Sequence, residues 1–127
     1  MKSVEINSLF KYLNKAIKNP KSDLNYKNKF TLLVSVVLSA QCTDVNVNNV
    51  TKNIYPKYNK PEHFVKLGRK KIEKLIKSIG LFRNKAKSIY HLSKQLIEKH
   101  NRKVPKNFDD LYALPGVGKK TASVVLN

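Results

Sequence analysis

Two helical segments near the end of the chain are joined by the stretch Leu114-Pro115-Gly116-Val117-Gly118-Lys119-Lys120-Thr121. Gly116 and Gly118 have no Cβ atom, so the backbone can turn sharply there and approach another surface closely. The helix after the turn begins with backbone N–H groups that have no carbonyl partner inside the helix, and such groups attract phosphate. Lys119, Lys120 and Thr121 add positive charge and a hydroxyl at the same place. The stretch therefore predicts a hairpin of two helices that grips a nucleic-acid backbone independently of base sequence.

The rest of the chain has the pattern of a series of short helices. Apolar residues recur at steps of three and four, and the predicted helices span residues 6–17, 30–40, 43–55, 61–68, 70–78, 84–100 and 108–113. The run 30–40 is apolar enough for a buried strand, but its length and the lack of a second such run favour a buried helix. The pattern as a whole predicts an all-α bundle of short helices.

The positive charge of the chain points to polyanionic partners. The chain has 127 residues, with 26 Lys plus Arg against 8 Asp plus Glu, which gives a formal net charge of +18. Such a charge favours DNA, RNA or an anionic membrane. The bases are mostly lysines, and drift in an AT-rich genome also enriches Lys, Asn and Ile, so the charge alone does not decide. Segment 57–106 concentrates basic residues and predicts a basic face, whereas no segment has the strong apolar face of a membrane-surface helix.

Several classes of protein are excluded by composition. Apolar residues make up 41% of the chain, which is enough to line a core and argues against a disordered protein. No apolar run reaches the roughly 18 residues of a membrane-spanning helix, and the N-terminus lacks a secretory signal, so we expect a cytoplasmic protein without a membrane partner. Cys42 is the only cysteine, which excludes an internal disulfide and a multi-cysteine metal site formed by this chain alone.

Three signatures give the chain a resemblance to a known family. The string Leu-Pro-Gly-Val-Gly-Lys-Lys-Thr-Ala over 114–122 resembles the helix-hairpin-helix motif of DNA repair glycosylases. Residues 38–48, Leu-Ser-Ala-Gln-Cys-Thr-Asp-Val-Asn-Val-Asn, and residues 79–86, Ile-Gly-Leu-Phe-Arg-Asn-Lys-Ala, look like two further signatures of the endonuclease III family. The resemblance covers essentially the whole chain, which corresponds to roughly the first three-fifths of the family's length.

The resemblance implies a fold and a division into domains. It implies the all-α helix-hairpin-helix DNA glycosylase fold, mostly its six-helix barrel domain and without the C-terminal part. Residues 1–20 would form an N-terminal helix that joins an iron–sulfur domain, and residues 21–127 would form the incomplete barrel, with the hairpin motif at 107–127. The family's [4Fe–4S] cluster is held by four cysteines that this chain lacks, so we expect no cofactor in the chain itself. Without that domain the stripe of residues 9–17 would be left exposed, and we expect low stability.

The resemblance also implies an activity. Members of the endonuclease III family remove oxidised pyrimidines from duplex DNA and then cut the backbone 3′ to the abasic site. The family's nucleophile falls on Lys120, whose amine would attack the sugar, displace the base and form a Schiff base that allows β-elimination. That attack needs a neutral amine, which nearby cations, partial burial and the positive end of the helix would favour. Lys119, as an immediate neighbour, would point elsewhere around the helix.

Two loops are implied to fill the space left when the damaged base is flipped out of the duplex. By position, Gln41 would hydrogen-bond the orphaned base, while Leu81, with Ile79 beside it, would pry a base step apart. Asp44 is interpreted as a helix cap or a structural carboxylate near the site rather than a base. The hairpin residues 114–119 and Thr121 complete the predicted DNA contacts, and we expect a monomer acting on double-stranded DNA with damaged pyrimidines or abasic sites.

Alternatives remain open at this point. The family's catalytic aspartate lies past Asn127, so we expect the chain to be a fragment or a truncated gene product. A non-catalytic DNA-binding remnant, in which the hairpin grips phosphate without chemistry, fits the sequence equally well, and so does the product of a degraded gene. The adenine-specific glycosylase branch shares the scaffold but lacks a lysine nucleophile at this position, so Lys120 argues against it.

Overall fold

The computed structural model describes residues 24–126, and all of the regular structure in that range is helical. The helices are α1 (Lys29–Leu38), α2 (Asp44–Thr51), α3 (Pro61–Leu75), α4 (Phe82–Lys99), α5 (Phe108–Tyr112) and α6 (Lys119–Leu126). The predicted all-α fold is thereby confirmed. The predicted helix at 1–20, with its apolar stripe at 9–17, lies outside the described residues. None of the described helices is long and apolar enough to cross a membrane.

Helix α1 is the centre of the structure. Every residue from Phe30 to Leu38 is buried, so the apolar run 30–40 is a core helix rather than a strand. Its start is set by a capping box, in which the Asn28 side chain accepts a hydrogen bond from the Thr31 N–H while the Thr31 hydroxyl accepts one from the Asn28 N–H. Helices α2, α4 and α6 all pack against α1, so the elements that carry the predicted site residues share one support.

The other helices follow the predicted order with shifted ends. Thr43 caps α2, which ends at Thr51 rather than at Tyr55 because turns replace the last predicted residues. Helix α3 is interrupted at Gly68, whose φ of +82° breaks it into the two predicted segments. Helix α4 starts at Phe82, two residues before the predicted Asn84, and packs along α3.

A buried tyrosine joins α1 to the segment after α2. The Tyr55 hydroxyl donates to the Thr31 carbonyl at 3.0 Å and lies 2.5 Å from the Ser35 hydroxyl. Burial raises the pKa of the Tyr55 phenol, although the Ser35 hydrogen bond acts in the opposite direction. The folded protein keeps the phenol proton where the unfolded chain loses it. This contribution to stability is therefore present below the ordinary tyrosine pKa of about 10 and is lost as the pH rises above it.

Replacing Tyr55 with phenylalanine is expected to lower the free energy of unfolding by about 1–2 kcal/mol at neutral pH, because the buried hydrogen bonds with the Thr31 carbonyl and the Ser35 hydroxyl are lost. The difference in free energy of unfolding between wild type and variant should narrow above about pH 10, since only the wild type has the Tyr55 phenol to ionise on unfolding. Urea unfolding at neutral and alkaline pH measures both effects. Tyr26→Phe is the control, because Tyr26 is 47% exposed. A difference that stays constant with pH would contradict this account of Tyr55.

Candidate active site

Residues 114–121 form a tight hairpin between α5 and α6. The Leu114 N–H donates to the Leu111 carbonyl at 3.0 Å, and the Val117 N–H donates to the Leu114 carbonyl at 3.1 Å. The Ala122 N–H donates to the Gly118 carbonyl at 2.9 Å, so Gly118 is the residue from which α6 starts. The first N–H groups of α6 consequently have no carbonyl partner inside the helix.

The two glycines of the hairpin have different structural roles. Gly116 has a φ of +76°, and a Cβ atom placed on it would lie 2.6 Å from Ser88 Oγ of α4 and closer still to Ser88 Cβ. Gly116 is therefore the point where the hairpin backbone presses against α4. A Cβ atom on Gly118 would meet nothing within 4 Å, and Gly118 is exposed. The free space around Gly118 faces solvent, where a ligand backbone can approach.

Burial divides the predicted DNA-contact residues into two groups. The side chains of Ile79, Leu114 and Val117 are 1%, 2% and 5% exposed and belong to the core. Their side chains support the loop before α4 and the hairpin from the inside, and the DNA contacts predicted for these three residues stay a prediction. The remaining predicted residues lie at the surface, either exposed or half-buried: Gln41, Leu81, Pro115, Gly116, Gly118, Lys119, Lys120 and Thr121.

A cleft brings together predicted residues that are far apart in the sequence. It has a volume of about 380 Å³ and lies between the end of α1, the start of α2 and the first turns of α6. That size is within the roughly 300–1,000 Å³ of small-molecule pockets. Gln41, Asp44, Lys120 and Thr121 line its polar side, and the remaining lining residues are Leu24, Val36, Ser39, Ala40 and Val124. The cleft is therefore large enough to hold a small, partly polar group beside Lys120.

The state of two site residues differs from expectation. Lys120 is exposed rather than partly buried, because it lies in the first turn of α6 on the side away from the core. Asp44 is the first residue of α2 and the cap is Thr43, whose side chain accepts from the Asn46 N–H at 3.1 Å. Asp44 is thus a carboxylate in the first helical turn, where the helix dipole favours negative charge, and it faces the cleft.

Gln41 and Leu81 share an unusual backbone conformation. Their φ angles are +57° and +60°, in the left-handed region that L-residues other than glycine, asparagine and aspartate rarely adopt. Leu81 is also 57% exposed, although it is a large apolar residue. Each residue stands at the tip of a short loop, Gln41 after α1 and Leu81 before α4. Strain and exposure of this kind concentrate at functional sites.

Lys85 is the site residue that the sequence reasoning missed. It lies on α4 and is 6% exposed, and its ammonium donates to the Leu38 carbonyl at 2.9 Å and to the Ala40 carbonyl at 2.5 Å. Burial lowers the pKa of this ammonium, which the nearby Cys42 thiol partly opposes. The signal was present in the sequence, because Lys85 stands beside Ala86 and four residues before Ile89 on the apolar stripe of α4.

The described residues contain no group of three or more His, Cys, Asp or Glu that could hold a metal ion. A [4Fe–4S] cluster takes four cysteine thiolates, and the chain has Cys42 alone. The residues of this chain therefore do not fit such a cluster.

The sequence of this chain matches a known superfamily. Residues 34–125 match the family described as the HhH-GPD superfamily of base excision DNA repair proteins. This chain belongs to that superfamily, and the resemblance drawn from the three signatures is confirmed.

Individual relatives of the chain include bacterial endonucleases III. Endonuclease III of Rickettsia conorii is 50% identical over 127 residues, which is all of this chain and 60% of that protein. Endonuclease III of Escherichia coli K12 is 47% identical over 109 residues, which is 86% of this chain and 52% of that protein. The chain thus spans about three-fifths, or less, of the length of these relatives.

Solved structures show the same fold. A trapped covalent intermediate of endonuclease III with DNA has a TM-score of 0.81 at 46% identity, over 93% of this chain and 57% of that one. A non-covalent endonuclease III–DNA complex also has a TM-score of 0.81, at 43% identity, over 99% of this chain and 59% of that one. A thermostable thymine-DNA glycosylase is more distant, with a TM-score of 0.75 at 28% identity, over 80% and 47% of the two chains.

Proposed function

We propose that this chain carries the nucleophile and the main DNA contacts of an endonuclease III type DNA glycosylase and abasic-site lyase. The observation that carries the proposal is the cleft, which sets Lys120 of α6 opposite Gln41 and Asp44 from the segment after α1. These residues are nearly eighty positions apart in the chain and meet only through the fold. The substrates would be oxidised pyrimidines and abasic sites in double-stranded DNA, and the chain would act as a monomer in the cytoplasm.

Lys120 would supply the chemistry. A damaged nucleotide flipped out of the stack can place its sugar at the mouth of the cleft. The neutral amine of Lys120 attacks C1′, the bond between C1′ and the base breaks, and the base leaves with a proton. Ring opening then gives a Schiff base between the lysine nitrogen and C1′. Loss of a proton from C2′ breaks the bond between C3′ and its phosphate oxygen, which cuts the strand on the 3′ side.

The hairpin would hold the DNA backbone during these steps. The exposed N–H groups at the start of α6 and the ammonium of Lys119 can contact one phosphate region. The formal charge of +18 adds a long-range attraction to DNA that depends on salt concentration. Gln41 and Leu81 would occupy the space vacated by the flipped base, Gln41 through its amide and Leu81 as an apolar wedge.

Borohydride trapping on a duplex with one abasic site tests this function directly, because borohydride reduces a Schiff base to a stable amine. We expect the folded 127-residue chain to form a covalent adduct with that duplex and none with a tetrahydrofuran analogue, which has no aldehyde for the lysine. Circular dichroism measured in parallel establishes that the chain is helical.

Two results would contradict the proposal. A folded chain that binds DNA without forming the adduct would be a DNA-binding protein without lyase chemistry. If the chain has no helical structure, the proposed activity would belong only to the longer relatives.

A further inference from the structure

We propose that Lys85 is a positioning residue that ties the loop of Gln41 to the loop of Leu81, so that both side chains enter the duplex as one rigid unit. The inference rests on the proposed function, in which these two residues fill the space of the flipped base. It assigns a role to a buried lysine that takes no part in the chemistry at Lys120.

Lys85 contacts both loops through different atoms. Its side-chain ammonium donates to the carbonyls of Leu38 and Ala40, and Ala40 is the residue directly before Gln41. Its backbone N–H donates to the Leu81 carbonyl at 3.0 Å, which is the first hydrogen bond of α4. Lys85 therefore holds the peptide group before Gln41 with its side chain and the Leu81 carbonyl with its backbone N–H.

The surroundings of the ammonium explain why a lysine occupies this buried place. The last carbonyls of α1 have no N–H partner inside the helix, and the C-terminal end of a helix attracts positive charge. Lys85 satisfies one of these orphan acceptors, the Leu38 carbonyl, and also the Ala40 carbonyl in the turn that follows α1. Its aliphatic part packs in the core. A methionine would fill the same volume and leave both carbonyls without this donor, so packing alone does not account for the lysine.

The strained conformations of Gln41 and Leu81 require this kind of support. A left-handed backbone at a residue with a side chain costs about 1–2 kcal/mol, and it persists only where neighbouring contacts enforce it. Both strained residues adjoin atoms that Lys85 holds. Removing the ammonium should let the Gln41 loop relax while the backbone bond to Leu81 stays, and the two side chains would lose their common spacing.

Asn46 provides a second tie between the same loops. Its side-chain amide lies 3.3 Å from Cys42 Sγ and 3.5 Å from the Ser78 carbonyl, so it reaches from the Gln41 side to the segment before Leu81. These contacts are longer than those of Lys85 and lie nearer the surface. The stronger effect is therefore expected from Lys85.

The test compares binding to an undamaged duplex with binding to the same duplex carrying a tetrahydrofuran abasic analogue. Lys85→Met should reduce the preference for the abasic duplex by about tenfold, since two charge-assisted hydrogen bonds that hold the loops are lost. Affinity for undamaged DNA should stay within about twofold, because the hairpin contacts are unchanged. Lys87→Met is the matched control, since Lys87 is an exposed lysine on the same helix.

A double-mutant cycle separates positioning from a general structural role. Gln41→Ala should lower the preference on its own, and adding Lys85→Met should lower it little further, because the lysine side chain acts through the Gln41 loop. Lys85→Arg, which keeps hydrogen-bond donors at this position, should recover part of the preference. Full preference in Lys85→Met, or independent and additive losses in the double variant, would overturn the proposal.

The outcomes distinguish this inference from the proposed function. A wild type that prefers the abasic duplex and forms the trapped adduct, together with an unaltered preference in Lys85→Met, overturns the role of Lys85 alone. A wild type that forms the adduct without preferring the abasic duplex also overturns the role of Lys85 alone. A wild type with neither the preference nor the adduct overturns both. If thermal unfolding shows that Lys85→Met does not fold, Asn46→Ala decides: we expect about a threefold loss of preference, and no loss contradicts the tie between the loops.

Discussion

Replacing Lys120 with alanine is expected to abolish the borohydride-trapped adduct with abasic-site DNA, a loss of at least about a hundredfold in adduct yield. Lys120 lines the cleft together with Gln41 and Asp44, and Lys119 is not among the lining residues. The substitution deletes the nitrogen that, in the proposed function, would form the bond to C1′. A neighbouring backbone group that shifts toward the cleft cannot replace that nitrogen.

DNA binding by Lys120→Ala should fall by only about threefold, because the variant loses one positive charge while the rest of the hairpin is intact. The matched control is Lys119→Ala. Lys119 is also exposed and carries the same charge, but successive residues of a helix point in directions about 100° apart. We expect this control to retain the adduct. Trapping of Lys120→Ala at the wild-type yield would show that another amine is the nucleophile.

Substitutions at the two hairpin glycines are expected to have different effects, although the sequence alone predicts weaker DNA binding for both. Gly116→Val should lower the free energy of unfolding by about 2–4 kcal/mol, since it places a β-branched residue at positive φ and drives a side chain into Ser88. We expect Gly116→Val also to bind DNA more weakly, because the substitution distorts the hairpin. Urea unfolding and duplex affinity measured on the same preparation give both quantities.

Gly118→Val should lower stability by no more than about 1 kcal/mol, because its side chain meets open space. It should nevertheless weaken duplex binding about tenfold, which corresponds to one lost contact between the backbone and a phosphate. Ser123→Val is the control, as it introduces the same residue at an exposed position further along α6. Wild-type affinity in Gly118→Val would remove this turn from the DNA interface. Wild-type stability in Gly116→Val would contradict the close contact with Ser88.

Local sequence determined much of this protein by itself. The hairpin at 114–121 is defined by short-range requirements, namely two glycines, a helix start and basic residues in the first turn. The helix at 30–40 was distinguishable from a strand by its length, and Gly68 marked the break in α3 because only a residue without a side chain adopts its φ of +82° at low cost. These features depend on neighbours in the chain, so a pattern of residues suffices to predict them.

Tertiary structure decided which of the predicted residues can meet a ligand. Ile79, Leu114 and Val117 belong to sequence signatures, yet they are buried, because burial depends on what other helices cover. The cleft between Gln41 and Lys120 exists because α2 and α6 both pack against α1. Lys85 shows the same limit, since the carbonyls that make a buried ammonium tolerable lie more than forty residues away in the chain. Hydrogen bonds and packing between distant segments leave little trace in the local pattern, and only the folded arrangement reveals them.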